Sequence, residues 1–158
     1  MSITEGAGEV NIKIKQTNLE PDGDHASLQQ AGPETQAVAW HGAAAPAEAL
    51  RACVNDDRAA VVAWLDSGGD VDAGMVESKC TMLQVAAALG QARVVELLLA
   101  RSAGIEWGDG VGETALIVAC GQGRGRVVEL LLSSGARVDV ANKQGCTALM
   151  AAACQGHT

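Results

Sequence analysis

The side chains of this sequence best suited to metal or nucleophilic chemistry are five cysteines and three histidines. A structural zinc site needs about four nitrogen or sulfur ligands that converge tetrahedrally, but the histidines are scattered and no two cysteines form a C-x-x-C pair. A nucleophilic cysteine needs a base beside it, and the sequence places none there. The residues concerned are Cys53, Cys80, Cys120, Cys146, Cys154, His25, His41 and His157. We therefore expect small reduced thiols, no metal site and no catalytic residue.

Two glycine-rich stretches resemble loops that hold phosphate. Residues 121–126 read GQGRGR, and residues 108–112 read GDGVG. A phosphate-binding loop follows a strand, opens a helix and carries a Lys, Ser or Thr that meets the phosphate or its metal. The first stretch instead follows a helical segment, and the second fits a turn between two units. We expect no nucleotide and no other cofactor, and the sequence does not predict an enzyme.

The charge of the chain argues against nucleic acid or an anionic membrane as its partner. The 158 residues carry a formal net charge of −8, of which residues 1–45 and residues 46–158 contribute −4 each. Both excluded partners attract clustered Lys and Arg. The first residues lack the basic and apolar regions of a signal peptide, and no apolar run approaches the ~20 residues of a membrane helix. We expect a monomeric intracellular protein, cytoplasmic by preference and nuclear as the alternative.

An internal repeat organises most of the chain, with a period of about 33 residues. Four columns recur at one constant spacing: Thr81, Thr114 and Thr147; Leu83, Leu116 and Leu149; Ala86, Ala119 and Ala152; Gly90, Gly123 and Gly156. A weaker copy lies upstream, offset by one extra residue in the connection, with Ala52, Asp56, Val61 and Leu65 at corresponding positions. Units of this length stack into solenoids, and a terminal unit is commonly degenerate because one side faces water. The sequence predicts about three and a half stacked units.

Each unit is predicted to hold two short helices and a hairpin-like turn. The threonine is placed to cap the first helix with its hydroxyl, and the glycine that follows in each unit is placed to end it in a left-handed conformation. The second helix carries VVELLL, at 94–99 and at 127–132, an apolar face wide enough to be buried between two units. Turn-forming residues at 69–79, 104–112 and 135–145 predict the hairpins.

Residues 1–45 are predicted to form a mostly disordered, mobile arm. The stretch VNIKIK at 10–15 alternates like a strand, yet no partner strand is evident. A short helix near 34–42 would place Trp40 over the first unit. Pro46 suits the first turn of the helix that opens the repeat domain.

The unit resembles the ankyrin repeat, since it follows the pattern T-x-L-x-x-A-x-x-x-G-x-x-x-V-V-x-L-L-L. The resemblance covers residues 46–158 and implies an all-α, right-handed ankyrin solenoid with units at 46–76, 77–109, 110–142 and 143–158, the last truncated. The turn pattern D-x-x-G-x-T holds around residues 109–114, whereas Val76 and Lys79 replace its Asp and Gly in the first hairpin. The family's histidine column reads Gln84, Ile117 and Met150. We therefore expect a hydrogen bond between neighbouring units to be missing there.

The resemblance implies a protein-interaction module or adaptor that binds a partner protein on the concave face and the hairpin tips. A basic patch on the partner would face Glu77 and Glu113. Trp107 either packs between hairpins or anchors the partner, as exposed tryptophans often do. Carried over by position, the candidate contacts are Glu77, Ser78, Cys80, Leu89, Trp107, Val111, Glu113, Gln122, Lys143, Gln144, Cys146 and Gln155.

A second reading treats the chain as the targeting or regulatory segment of a larger enzyme or channel. In that reading, the catalytic or membrane part lies beyond residue 158. The last unit stops where its second helix should begin, which would leave the apolar face of the preceding unit partly uncovered. We therefore expect this sequence to be a fragment of a longer chain.

Overall fold

The computed structural model describes residues 38–39 and 43–157. Over these residues the chain forms three helix pairs, a seventh helix and four very short strands. The helices are α1 Ala47–Val54, α2 Arg58–Asp66, α3 Met82–Leu89, α4 Ala92–Ala100, α5 Ala115–Gly121, α6 Gly125–Ser133 and α7 Ala148–Cys154; the strands are β1 Val38–Ala39, β2 Gly74–Met75, β3 Cys80–Thr81 and β4 Trp107–Gly108. The fold is the all-α repeat solenoid that the sequence predicts.

The first helix of each regular unit begins at its threonine. The hydroxyl oxygens of Thr81, Thr114 and Thr147 accept hydrogen bonds from the backbone N–H three residues further on, at 3.2, 3.3 and 3.4 Å. Such a bond satisfies one of the donors that a helix start leaves without an intrahelical partner. The capping prediction is confirmed in all three units.

Left-handed backbone recurs at fixed positions in the units. Gly90, Gly123 and Gly156 have φ of 80°, 66° and 72°, as the sequence predicts. Among the described residues, three non-glycine residues have positive φ: Asp56, Lys79 and Ser102. Other units carry glycine at the same position of the repeat. The equivalents are Gly90 for Asp56, Gly112 and Gly145 for Lys79, and Gly68 and Gly135 for Ser102. The backbone therefore keeps the repeat even where the sequence has lost the glycine.

The helices stack in two layers. Helices α1, α3, α5 and α7 contact one another in order and form the inner layer, while α2, α4 and α6 form the outer layer. Small residues allow close approach in the inner layer: Ala86, Ala87 and Ala119 are fully buried. Larger side chains fill the space between the layers, among them Met82, Leu83, Leu98, Ile117 and Leu131. The core is therefore one continuous layer of contacts along the stack.

The hairpins project from the stack and bond to each other. β2 and β3 pair in an antiparallel manner, with Gly74 opposite Thr81. The N–H of Gly110 donates to the carbonyl of Ser78 at 3.0 Å, and at the equivalent positions of the next unit the N–H of Lys143 donates to the carbonyl of Val111 at 3.0 Å. These repeated backbone bonds hold the hairpins in one row.

The N-terminal segment corrects one prediction. β1 pairs in parallel with β4, so that Val38 lies opposite Trp107 and Ala39 opposite Gly108. The short helix expected near 34–42 is therefore wrong at residues 38–39, because the edge of β4 offers backbone groups that only extended chain can satisfy. The rest of that stretch, the VNIKIK stretch and the mobility of the arm lie outside the described residues.

Candidate functional site

A groove opens between α5, α7 and the two hairpins that precede them. Its volume is about 300 Å³. Five of the contacts predicted by position line it: Glu113, Gln122, Gln144, Cys146 and Gln155. These residues come from two units and are far apart in the sequence, so only the stacking of α5 on α7 brings them together.

The hairpin beside the groove is shaped by Asn142. Its side-chain oxygen accepts hydrogen bonds from the backbone N–H groups of Gln144 at 3.0 Å and Cys146 at 2.9 Å. Its amide nitrogen lies 3.5 Å from a carboxylate oxygen of Glu113. Asn142 is buried, and its hydrogen bonds hold the hairpin from inside. Gln144 and Cys146, whose N–H groups it binds, line the groove.

Asp109 supports the preceding hairpin in the same way. One of its carboxylate oxygens accepts from the N–H groups of Val111 at 3.0 Å and Glu113 at 2.8 Å. Burial raises the pKa of Asp109 above its ordinary value, although these backbone bonds and the charge of Lys143 act in the opposite direction. Asp109 therefore fixes the backbone from which the Glu113 carboxylate enters the groove.

Gln84 forms the hydrogen bond between neighbouring units that was expected to be missing in the histidine column. Its side chain is 1% exposed, and its amide nitrogen donates to the carbonyls of Trp107, at 2.9 Å, and Glu113 in the next unit. Its amide oxygen accepts from the N–H of Thr81 at 2.7 Å. The predicted loss of an inter-unit hydrogen bond is wrong at this position, because glutamine carries the donor and acceptor that the link requires. Ile117 and Met150 carry neither group.

The remaining predicted contacts lie outside the groove. Glu77 and Lys143 are exposed on hairpins, Ser78 and Val111 are half-buried there, and Leu89 is half-buried at the end of α3. Lys143 donates through Nζ to the carbonyl of Gly110 at 2.7 Å. Cys80, at 4% exposure, is withdrawn from the surface because β3 turns its side chain towards the core.

Trp107 packs against its own connection. A Cβ atom added to Gly104 would collide with the indole ring, so the five-membered part of that ring lies against the glycine. The ring remains partly exposed and borders a largely apolar cleft of about 290 Å³, lined by Asp72, Gly104, Ile105, Glu106 and Trp107. The position supports the packing role of Trp107, whose indole Nε1 is buried.

The thiols are poorly suited to nucleophilic chemistry. All five cysteines are free. Burial raises the pKa of Cys53 to about 12 and raises that of Cys80 still further, with Asp109 and Glu113 adding to the second effect. Burial also raises the pKa values of Cys120 and Cys146. Because the thiolate is the reactive form, the raised pKa values favour the less reactive thiol form at these four positions.

Two columns of polar side chains link neighbouring units and were not predicted from the sequence. Gln91 donates to the carbonyl of Val54 at 2.6 Å, and at the equivalent position of the next unit Arg124 donates to the carbonyl of Ala88 at 2.9 Å. In the second column, the carboxylates of Asp72 and Glu106 accept from the N–H groups of Gly104 at 2.7 Å and Arg137 at 2.8 Å. In both columns a polar residue recurs at the period of the repeat, but its type changes from unit to unit. This recurrence could have predicted the links.

Comparison with known proteins gives one family. The sequence matches a family described as ankyrin repeats, in three copies, over residues 49–142 and 83–158. No curated protein matches. Over the part of the chain that the structure describes, no group of three or more His, Cys, Asp or Glu side chains is placed to hold a metal ion. Nor does any helix there have the length and apolar character to cross a membrane.

Proposed function

Because the chain belongs to the ankyrin-repeat family, we propose that it binds a partner protein along its concave face, at the groove between α5 and α7. Ankyrin repeats are generally protein-interaction modules and are typically non-catalytic. The observation that carries the proposal is the convergence of Glu113, Gln122 and Gln155 on one groove. The hairpins beside it are fixed by internal hydrogen bonds, so binding orders little additional chain and costs little conformational entropy.

The charge of the groove selects the chemistry of the partner. Among its described lining residues, Glu113 supplies a carboxylate, the glutamines supply neutral amides, and none is Lys or Arg. A carboxylate recognises a guanidinium or ammonium group through charge-assisted hydrogen bonds, while amide groups bond equally well to a peptide backbone. We therefore propose a partner segment that places an Arg or Lys beside Glu113.

Capture of binding proteins from cell extract tests this face. The variants are Glu113→Arg and Gln155→Arg, which put positive charge into the groove, and the matched control is Glu96→Arg on the outer helix α4, whose side chain is exposed. Proteins captured by the wild type and by the control should bind the two groove variants at least tenfold more weakly, a loss of about 1.4 kcal/mol. Equal capture by all four proteins would show that the partner uses another surface.

A further inference from the structure

The N-terminal segment is joined to the first hairpin through backbone groups. The N–H of Gly74 donates to the carbonyl of Ala43 at 3.0 Å, and the carbonyl of Gly74 accepts from the N–H of Ala45 at 2.8 Å. Gly74 thus uses both of its backbone groups in a parallel bridge to Ala44. The segment lies here as an added strand at the edge of β2.

The same segment is joined to the second hairpin in the same direction. β1 pairs in parallel with β4, and Val38 lies opposite Trp107. Trp107 precedes Thr114 by the same number of positions as Gly74 precedes Thr81, so the two pairings use equivalent positions in successive units. An edge that accepts an extended chain at two equivalent positions has the geometry of strand addition, in which backbone bonds hold the added strand and pockets select its side chains.

Around residues 43–45, the Ala45 side chain packs against the core, and the remaining contacts of the segment are those of its backbone. Ala43 and Ala44 are exposed, so around residue 44 the attachment consists mainly of backbone hydrogen bonds. Such bonds contribute little net free energy, because water replaces them when the strand leaves. The sequence of the segment, VAWHGAAA at 38–45, contains no acidic residue, Lys or Arg that would add an ion pair. An extended segment of another protein can therefore form the same backbone bonds, although the tethered segment competes at a higher effective concentration.

We propose that the edges of β2 and β4 form a docking site for an extended peptide and that residues 38–39 and 43–45 are its tethered occupant. Gly74 and Gly108 are buried in these edges, which favours small residues opposite them. The cleft beside Trp107 and Ile105 is largely apolar, which favours an uncharged apolar side chain next to the ring. The competing ligand is therefore an uncharged peptide that binds in the same parallel register. These edges lie apart from the groove between α5 and α7, so the inference does not rest on the proposed function.

A peptide-binding experiment on the full chain tests the proposal. The variant V38P/A39P/A45P removes N–H donors that proline cannot supply, and the matched control V38T/A39S/A45S retains them. The probe is a fluorescently labelled peptide of residues 36–46, QAVAWHGAAAP. It should bind the proline variant at least tenfold more tightly than the wild type or the control, since the tethered segment competes at a high effective concentration. Equal affinity for the three proteins, or no binding to the proline variant, would overturn the proposal.

Hydrogen exchange gives a second measurement of the same edge. The amide of Gly74 donates to the segment and should exchange at least tenfold faster in the proline variant than in the control. Amides of α3 and α5 serve as the reference for intact helices. Should proline at residue 45 disturb α1, V38P/A39P alone repeats the peptide comparison at β4. Unchanged exchange at Gly74 with intact helices would show that the segment does not occupy the edge.

Discussion

In two turns a single residue keeps the backbone conformation of the repeat without glycine. Lys79 and Ser102 adopt the left-handed backbone that glycine adopts in other units. This conformation costs an L-residue about 1–2 kcal/mol, a cost that glycine avoids. Glycine also has more conformational freedom in the unfolded chain, and this offsets part of the stability gained by the substitution. Lys79→Gly and Ser102→Gly should therefore each raise the free energy of unfolding by about 0.5–1 kcal/mol. Urea denaturation followed by circular dichroism measures the change.

The control for these variants is Glu96→Gly. Glu96 is exposed in the middle of α4, where glycine should lower the free energy of unfolding by about 1 kcal/mol. If glycine at residue 79 or 102 destabilised the protein as it does at 96, the backbone there would not be left-handed.

Asp109 gives a prediction about pH. Its pKa is raised by burial, so folding favours the protonated form: the associated stability is present at low pH and is lost as the pH rises through the folded pKa. Asp109→Asn keeps the two backbone hydrogen bonds, as Asn142 shows at the equivalent position. The variant should gain stability relative to the wild type as the pH rises above about 4, the ordinary pKa of Asp. Urea denaturation at several pH values measures this difference; a constant difference would contradict the raised pKa.

The link between one helix and the next hairpin depends on Gln84. Gln84→Ala leaves the partly buried carbonyl of Trp107 without this donor and removes one of two donors from the carbonyl of Glu113, which also accepts from the N–H of Asp109 at 3.1 Å. Because an unsatisfied acceptor costs about 1–3 kcal/mol, we expect the free energy of unfolding to fall by about 1–3 kcal/mol, as measured by urea denaturation. Gln84→His, the residue of the ankyrin pattern, should show a smaller loss. An alanine variant as stable as the wild type would show that water replaces the side chain.

The position of an element in the stack also decides how far its apolar residues are covered. Leu116 on α5 is 2% exposed, whereas its equivalent on α7, Leu149, is 79% exposed. Helix α5 packs between α3 and α7, while among the described helices α7 packs mainly on α5. In a solenoid, stability is a sum over neighbouring contacts, so α7 should open before the other inner helices.

Across the whole molecule, we expect thiol reactivity to follow this order of opening. Cys154 is exposed on α7, whereas Cys53 and Cys80 are buried between units and have raised pKa values. Under native conditions a thiol reagent should modify Cys154 first, and Cys53 and Cys80 only at the rate of global unfolding. Mass spectrometry of the labelled peptides follows each site. Modification of Cys80 as fast as Cys154 would show that the first hairpin opens locally.

The sequence alone determined the parts of this protein that depend on local conformation and on period. Threonine caps, left-handed glycines and the register of the repeat are properties of short segments, and the same register picked out five of the residues that line the groove. The tertiary structure decided which side chains meet across units: it buried Cys80, let Gln84 replace the missing histidine link and brought Glu113 and Gln155 to one groove. It also placed residues 38–39 in a strand. These outcomes depend on the distance between stacked units and on free backbone edges, which residue types and their spacing do not specify.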